Sequence, residues 1–186
     1  PAPTTSGSNG YVFPSTLSTS QPAWSPSDGT FTYTWASSST STGTYATLAT
    51  GVNLTSYSLT SGDPGTWIRL TVLEQRPGYT DASANSTPQL ISKGTITKTA
   101  VTFSGTNGLA FPSTLSTSQP AWSPSDGSFT YTWARSSSST GTYATLQSGS
   151  STTYSLTSGD AGQWFRLTVL EQRPGYTDAS ANSTPQ

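Results

Sequence analysis

The chain contains no cysteine, no histidine and no methionine, and charged residues make up only 8% of its 186 positions. The missing cysteines remove disulfides, thiolate nucleophiles and thiolate metal sites together, so the fold must be held by packing alone. The missing histidines leave acid–base chemistry to carboxylates. Charge is balanced as well as scarce. Seven Lys plus Arg against eight Asp plus Glu give a net charge of −1, and no basic stripe exists to neutralise phosphates, which excludes a nucleic-acid partner. No apolar run approaches the ~20 residues of a membrane-spanning helix. Pro1 is not a natural start, so the chain reads as an excised piece whose signal peptide and anchor, if any, lie elsewhere.

What remains for the surface is Ser, Thr, Asn and Gly, a composition that suits β structure outside the cell. Such a chain can also be disordered. The aromatics decide against disorder: six Trp, nine Tyr and six Phe recur at matching places in two copies, as a packed core requires.

The two copies are a tandem duplication. Ser58–Ser83 returns almost unchanged as Ser155–Ser180, and Phe13–Gly29 returns unchanged as Phe111–Gly127. Phe13 maps to Phe111 (111 − 13 = 98) but Arg76 maps to Arg173 (173 − 76 = 97), so copy one carries one extra residue in the loop between Thr50 and Ser56. A period near 97 residues is the size of a small domain. Two domains are expected, 1–91 and 92–186.

Within each copy the pattern is that of strands. Phe31, Tyr33 and Trp35 alternate with Thr32 and Thr34, and Ile68, Leu70 and Val72 alternate with Trp67, Arg69 and Thr71, the period of half-buried strands. Tyr45–Leu48 reads as a short edge strand, Tyr57 and Leu59 begin another, and Thr80–Ser86 is the last. Pro14, Pro22 and Pro26 break Phe13–Gly29 into extended pieces unsuited to central strands. Ser27-Asp28-Gly29, Ser61-Gly62-Asp63 and Arg76-Pro77-Gly78-Tyr79 are turns. About seven short strands per copy, with no helical period, predict an all-β chain of two tandem immunoglobulin-like β-sandwiches. The expected core is Phe31, Tyr33, Trp35, Leu59, Ile68, Leu70 and Val72, with their counterparts in copy two.

The segments TLSTSQPAWSPSDGTFTYTW, TSYSLTSGDPGTWIRLTV and RPGYTDASANS resemble the Ig-like tandem repeats of large secreted and surface proteins of bacteria, notably actinobacteria. The resemblance covers both copies nearly end to end. It implies repeats that act as spacers or adhesive arms, with neighbouring repeats of the same chain as partners and no cofactor. The chain departs from the vertebrate immunoglobulin pattern in lacking both cysteines, with Arg69 and Arg166 where the second would lie.

Candidate sites are few. Asp28, Asp63, Glu74 and Asp81 are the carboxylates of copy one. Asp28 and Asp63 sit in turns, and Glu74 stands two residues from Arg76 as a surface pair, so no catalytic residue is assigned. Calcium needs six to eight oxygens and usually clustered carboxylates; single acids predict no metal site. Trp24 and Trp67, with Trp122 and Trp164, fall outside the main core alternation and could stack on a sugar. An internal isopeptide bond needs a buried Lys, and Lys93 and Lys98 at the junction have no counterpart in copy one. The Asn53-Leu54-Thr55, Asn85-Ser86-Thr87 and Asn182-Ser183-Thr184 glycosylation patterns read as accidental. The sequence therefore predicts a monomeric, non-enzymatic, extracellular stalk of a cell-surface adhesin, with a carbohydrate-binding module as the alternative. The short junction around Ser92-Lys93-Gly94 adds the expectation of a semi-rigid rod.

Overall fold

A computed structural model describes all residues, 1–186. It divides into two compact units, Pro1–Gly94 and Thr95–Gln186. In the first unit the strands are β1 (Ser6–Tyr11), β2 (Thr16–Ser18), β3 (Thr30–Ser38), β4 (Ala46–Val52), β5 (Ser56–Ser58), β6 (Trp67–Gln75), β7 (Ala82–Asn85) and β8 (Gln89–Leu90). One sheet has the order β1-β2-β5, and the other runs β4-β3-β6-β7, with β8 also on β6. In the second unit the strands are β9 (Ser104–Leu109), β10 (Thr114–Ser116), β11 (Ser128–Ser136), β12 (Ala144–Gly149), β13 (Thr153–Ser155), β14 (Trp164–Gln172) and β15 (Ala179–Asn182), and a 3-10 turn spans Ser158–Asp160. Its sheets, β13-β10-β9 and β12-β11-β14-β15, repeat the first unit's topology. Each unit is an antiparallel immunoglobulin-like sandwich, as the alternation predicts.

The two longest strands, β3 and β6, make that sandwich possible. They pair without a break from Thr30↔Gln75 to Ser38↔Trp67, and their inward residues form the core. Phe31, Tyr33, Trp35, Leu59, Ile68, Leu70 and Val72 are all buried together with Leu17 and Ile91. Burying each such side chain contributes roughly 1.5–3 kcal/mol. The counterparts in the second unit are buried as well, except Phe129, which is half-buried. Leu17 lies on β2, the central strand of its sheet. The proline-flanked stretch therefore does supply a central strand, because three residues between Pro14 and Pro22 suffice to pair with both neighbours.

Three further boundaries differ from the sequence reading. Strand β4 continues to Val52, where a loop was expected. Its side chains are mostly exposed and carry no apolar period, yet its backbone pairs with β3 from Thr32↔Val52 to Ser37↔Ala46. The last strand is interrupted at Ser86. There the Ser86 N–H donates to the Leu70 carbonyl at 2.8 Å, the Leu70 N–H donates to Ser86 Oγ at 3.0 Å, and pairing resumes at β8 after Pro88. Finally, the first unit extends past residue 91. The Ser92 N–H donates to the Tyr11 carbonyl at 2.9 Å and Phe13 N–H to the Ser92 carbonyl at 3.0 Å, so Ser92 is tied to the first unit and the boundary falls after Gly94.

Candidate functional site

Carboxylates come first, because the chain has neither histidine nor cysteine. Asp63 is buried in the turn before β6. Its Oδ2 accepts from Thr60 N–H at 2.6 Å, Thr60 Oγ1 at 3.0 Å and Tyr57 OH at 3.1 Å. Burial, and then the charge of Asp63, push the Tyr57 hydroxyl up to about 12. The equivalent Asp160 also receives Arg135 Nη1 at 2.5 Å, a pair the first unit lacks because Ser37 stands at that position. Burial acts to raise the Asp160 carboxyl, but the Thr157 N–H and the Arg135 guanidinium outweigh it and hold the group below its usual value. Asp81 accepts from Gln75 Nε2 at 2.8 Å.

Glu74 does not pair with Arg76. Period two carries Glu74 onto the inward face with Ile68, Leu70 and Val72, and it is buried. That alternation was the signal in the sequence that could have placed it. Arg76 instead reaches Asp28, with Nε 2.8 Å from Oδ1. The second unit's Glu171 is buried too, and one oxygen accepts from Gly127 N–H at 3.3 Å while the other finds no partner. Burial holds its carboxyl above the usual value. Arg69 also faces outward, with its guanidinium 4.1 Å from the centre of the Tyr45 ring. The core position belongs to its neighbour Leu70, since one residue along a strand switches faces.

The tryptophans differ in exposure and setting. Trp24 is half-buried, tilted against Phe31 at 5.9 Å, and donates Nε1–H to the Pro1 carbonyl at 2.7 Å. Trp122 is only 2% exposed and donates to the Thr99 carbonyl at 3.0 Å. Trp67 is half-buried and Trp164 is 40% exposed. Trp24 lines a groove with Glu74, whereas Trp67 starts the same strand seven residues earlier, roughly 23 Å away at ~3.3 Å per residue. The two indoles are at opposite ends of the unit, too far apart to share one sugar chain's successive rings.

A groove with a volume of about 500 Å³ opens beside Trp24. Its floor and walls come from Pro1, Ala23–Pro26, Glu74, Arg76, Tyr79, Thr80 and Ala82–Ala84. The Arg76 guanidinium stacks 4.3 Å over the Tyr79 ring. No group of three or more acidic or other ligating side chains lies together. No helix is long and apolar enough to cross a membrane.

No family model matches the chain, and no curated protein matches it. Among solved structures it is similar to a two fibronectin type-III domain segment from chicken tenascin, at 17% identity over 99% of this chain and 94% of that one, with a TM-score of 0.35. It is also similar to a structure of chicken CNTN1 FN1-FN3 domains, at 11% identity over 98% of this chain and 65% of that one, with a TM-score of 0.30. Neither likeness bears on what the chain does, and the fold assignment rests on its own two sheets per unit.

Proposed function

We propose that the chain is a non-enzymatic structural repeat, a stalk or spacer of a bacterial extracellular or cell-surface adhesin-like protein that projects a distal binding region. One observation carries the reading: a self-contained sandwich is duplicated with its core intact, and each unit uses its few charged groups inside its own fold. Asp28 is tied to Arg76, Asp63 to Thr60 and Tyr57, and Asp81 to Gln75, while Glu74 lies in the core. Such a unit can be repeated without a partner or a metal, which is what a spacer requires. The hydroxyl-rich surface with little charge agrees with a position outside the cell.

Single-molecule extension of the full chain tests this. Two separate unfolding events are expected, each releasing roughly 300 Å of chain from about 90 residues at ~3.5 Å per residue. A single event, or collapse at forces that unfold no well-packed sandwich, would remove the stalk role. Tight binding of a glycan on an array would make the chain a recognition module instead.

A further inference from the structure

The groove of the first unit has a filled twin in the second. Its walls recur residue for residue: Ala121-Trp122-Ser123-Pro124, Glu171, Arg173, Tyr176, Thr177 and Ala179-Ser180-Ala181 match the first unit's Ala23-Trp24-Ser25-Pro26, Glu74, Arg76, Tyr79, Thr80 and Ala82-Ser83-Ala84. The second unit's groove is occupied by its own chain. Thr97 pairs antiparallel with Ser123, exchanging N–H to carbonyl bonds of 2.8 and 3.0 Å. Lys98 Nζ donates to the Ser180 carbonyl at 2.8 Å, and Ile96 is buried. This strand runs between the two walls.

Its effect is visible in the walls themselves. Tyr176 is 7% exposed where Tyr79 is 58% exposed. Trp122 and Ala179 are buried, while Trp24 is half-buried and Ala82 is exposed. Pro1 is the counterpart of Thr99 (99 − 1 = 98), and both carbonyls accept the tryptophan N–H, so the two grooves share the residue that follows the covering strand.

We infer that the first unit's groove is a strand-acceptor site for an extended segment of the Thr-Ile-Thr-Lys kind, the linker type that stands before the second unit. Backbone pairing to Ser25 gives the affinity. An aliphatic side chain between Trp24, Tyr79 and Ala82, and an ammonium on the Ser83 carbonyl, give the selectivity, as in other cases of strand addition. A sugar is the poorer fit, because the identical walls of the second unit close on a peptide. This inference stands apart from the stalk reading, since a recognition module with this groove would bind the same strand.

The test uses the full chain, isotope-labelled for NMR, with a synthetic peptide of residues 93–100. Titration to millimolar concentration is expected to move the Trp24 indole N–H and the amides of Ser25, Ser83 and Ala84, and to leave their counterparts in the second unit in place. A peptide carrying Ile96→Asp should move none of them. A chain with residues 93–98 repeated directly ahead of Pro1 covers the case of weak binding in trans. In that chain the nitration rate of Tyr79 should fall to that of Tyr176. The inference is overturned if the peptide moves nothing and Tyr79 stays as reactive in the extended chain. It is equally overturned if a neutral oligosaccharide moves the Trp24 signal and the peptide does not.

Discussion

Replacing the central tryptophan by phenylalanine in each unit separates hydrogen bonding from packing, because the two sites differ in one bond. Trp35 and Trp133 are both fully buried, and each stacks on a tyrosine, Tyr57 at 6.2 Å and Tyr154 at 6.4 Å. Trp35 Nε1–H donates to the Leu54 carbonyl at 3.2 Å. Trp133 Nε1–H finds no acceptor, because the loop that delivers Leu54 is one residue shorter in the second unit and has no such carbonyl in reach. A made hydrogen bond contributes roughly 0.5–1.5 kcal/mol, and a buried orphan donor costs roughly 1–3 kcal/mol. The loss of ring volume is the same at both sites, and phenylalanine keeps an aromatic ring for the edge contact that Phe103 makes with Trp133. Trp35→Phe should therefore cost about 2 kcal/mol more than Trp133→Phe. For domains of this size that is a difference of roughly 8–16 °C in Tm. Native-state hydrogen exchange at the amides of Val72 and Val169 reports each unit separately within the intact chain. Equal losses in the two units would falsify the assignment of the orphan and show that the indole N–H is satisfied in both.

Other perturbations address the remaining buried polar groups. Ser86→Ala should leave the Leu70 N–H without its acceptor and cost roughly 1–3 kcal/mol, with Ser183→Ala doing the same to Leu167; chemical denaturation measures it, and a loss under about 0.5 kcal/mol would mean the backbone closes the gap itself. Glu171 has a folded-state pKa above its unfolded value, so its carboxylate detracts from stability increasingly as pH rises from the ordinary glutamate range through that raised value. Glu171→Gln should then raise the second unit's melting temperature at pH 7 and have much less effect at pH 4; the same gain at both values would show that ionisation is not the cause. Tyr57, raised to about 12, contributes stability that is complete below about 10 and is lost as pH rises through about 12, and Tyr57→Phe should weaken the alkaline dependence of the first unit's unfolding curve, leaving the part that buried Tyr33 supplies. Thermal unfolding in millimolar Ca²⁺ and in chelator should coincide, and a shift of several degrees would reveal an oxygen site.

Reading the residues alone determined the duplication, the sandwich class and nearly the whole core, because alternation along β3 and β6 is a local property that repeats in both copies. The same alternation, followed one step further, already carried Glu74 inward. Tertiary structure decided what local pattern cannot carry. It continued β4 to Val52, since an exposed edge strand is held by its neighbour's backbone and leaves no apolar period. It paired Arg76 with Asp28, residues 48 positions apart, rather than with the acid two residues away, because successive side chains on one strand face compete with partners from loops. It set Trp24 beside Glu74, seven residues along β6 from Trp67, and it buried Trp122 while leaving Trp24 half-open. That last difference arises between identical local sequences, and Trp122 is the one beside the paired strand at Thr97.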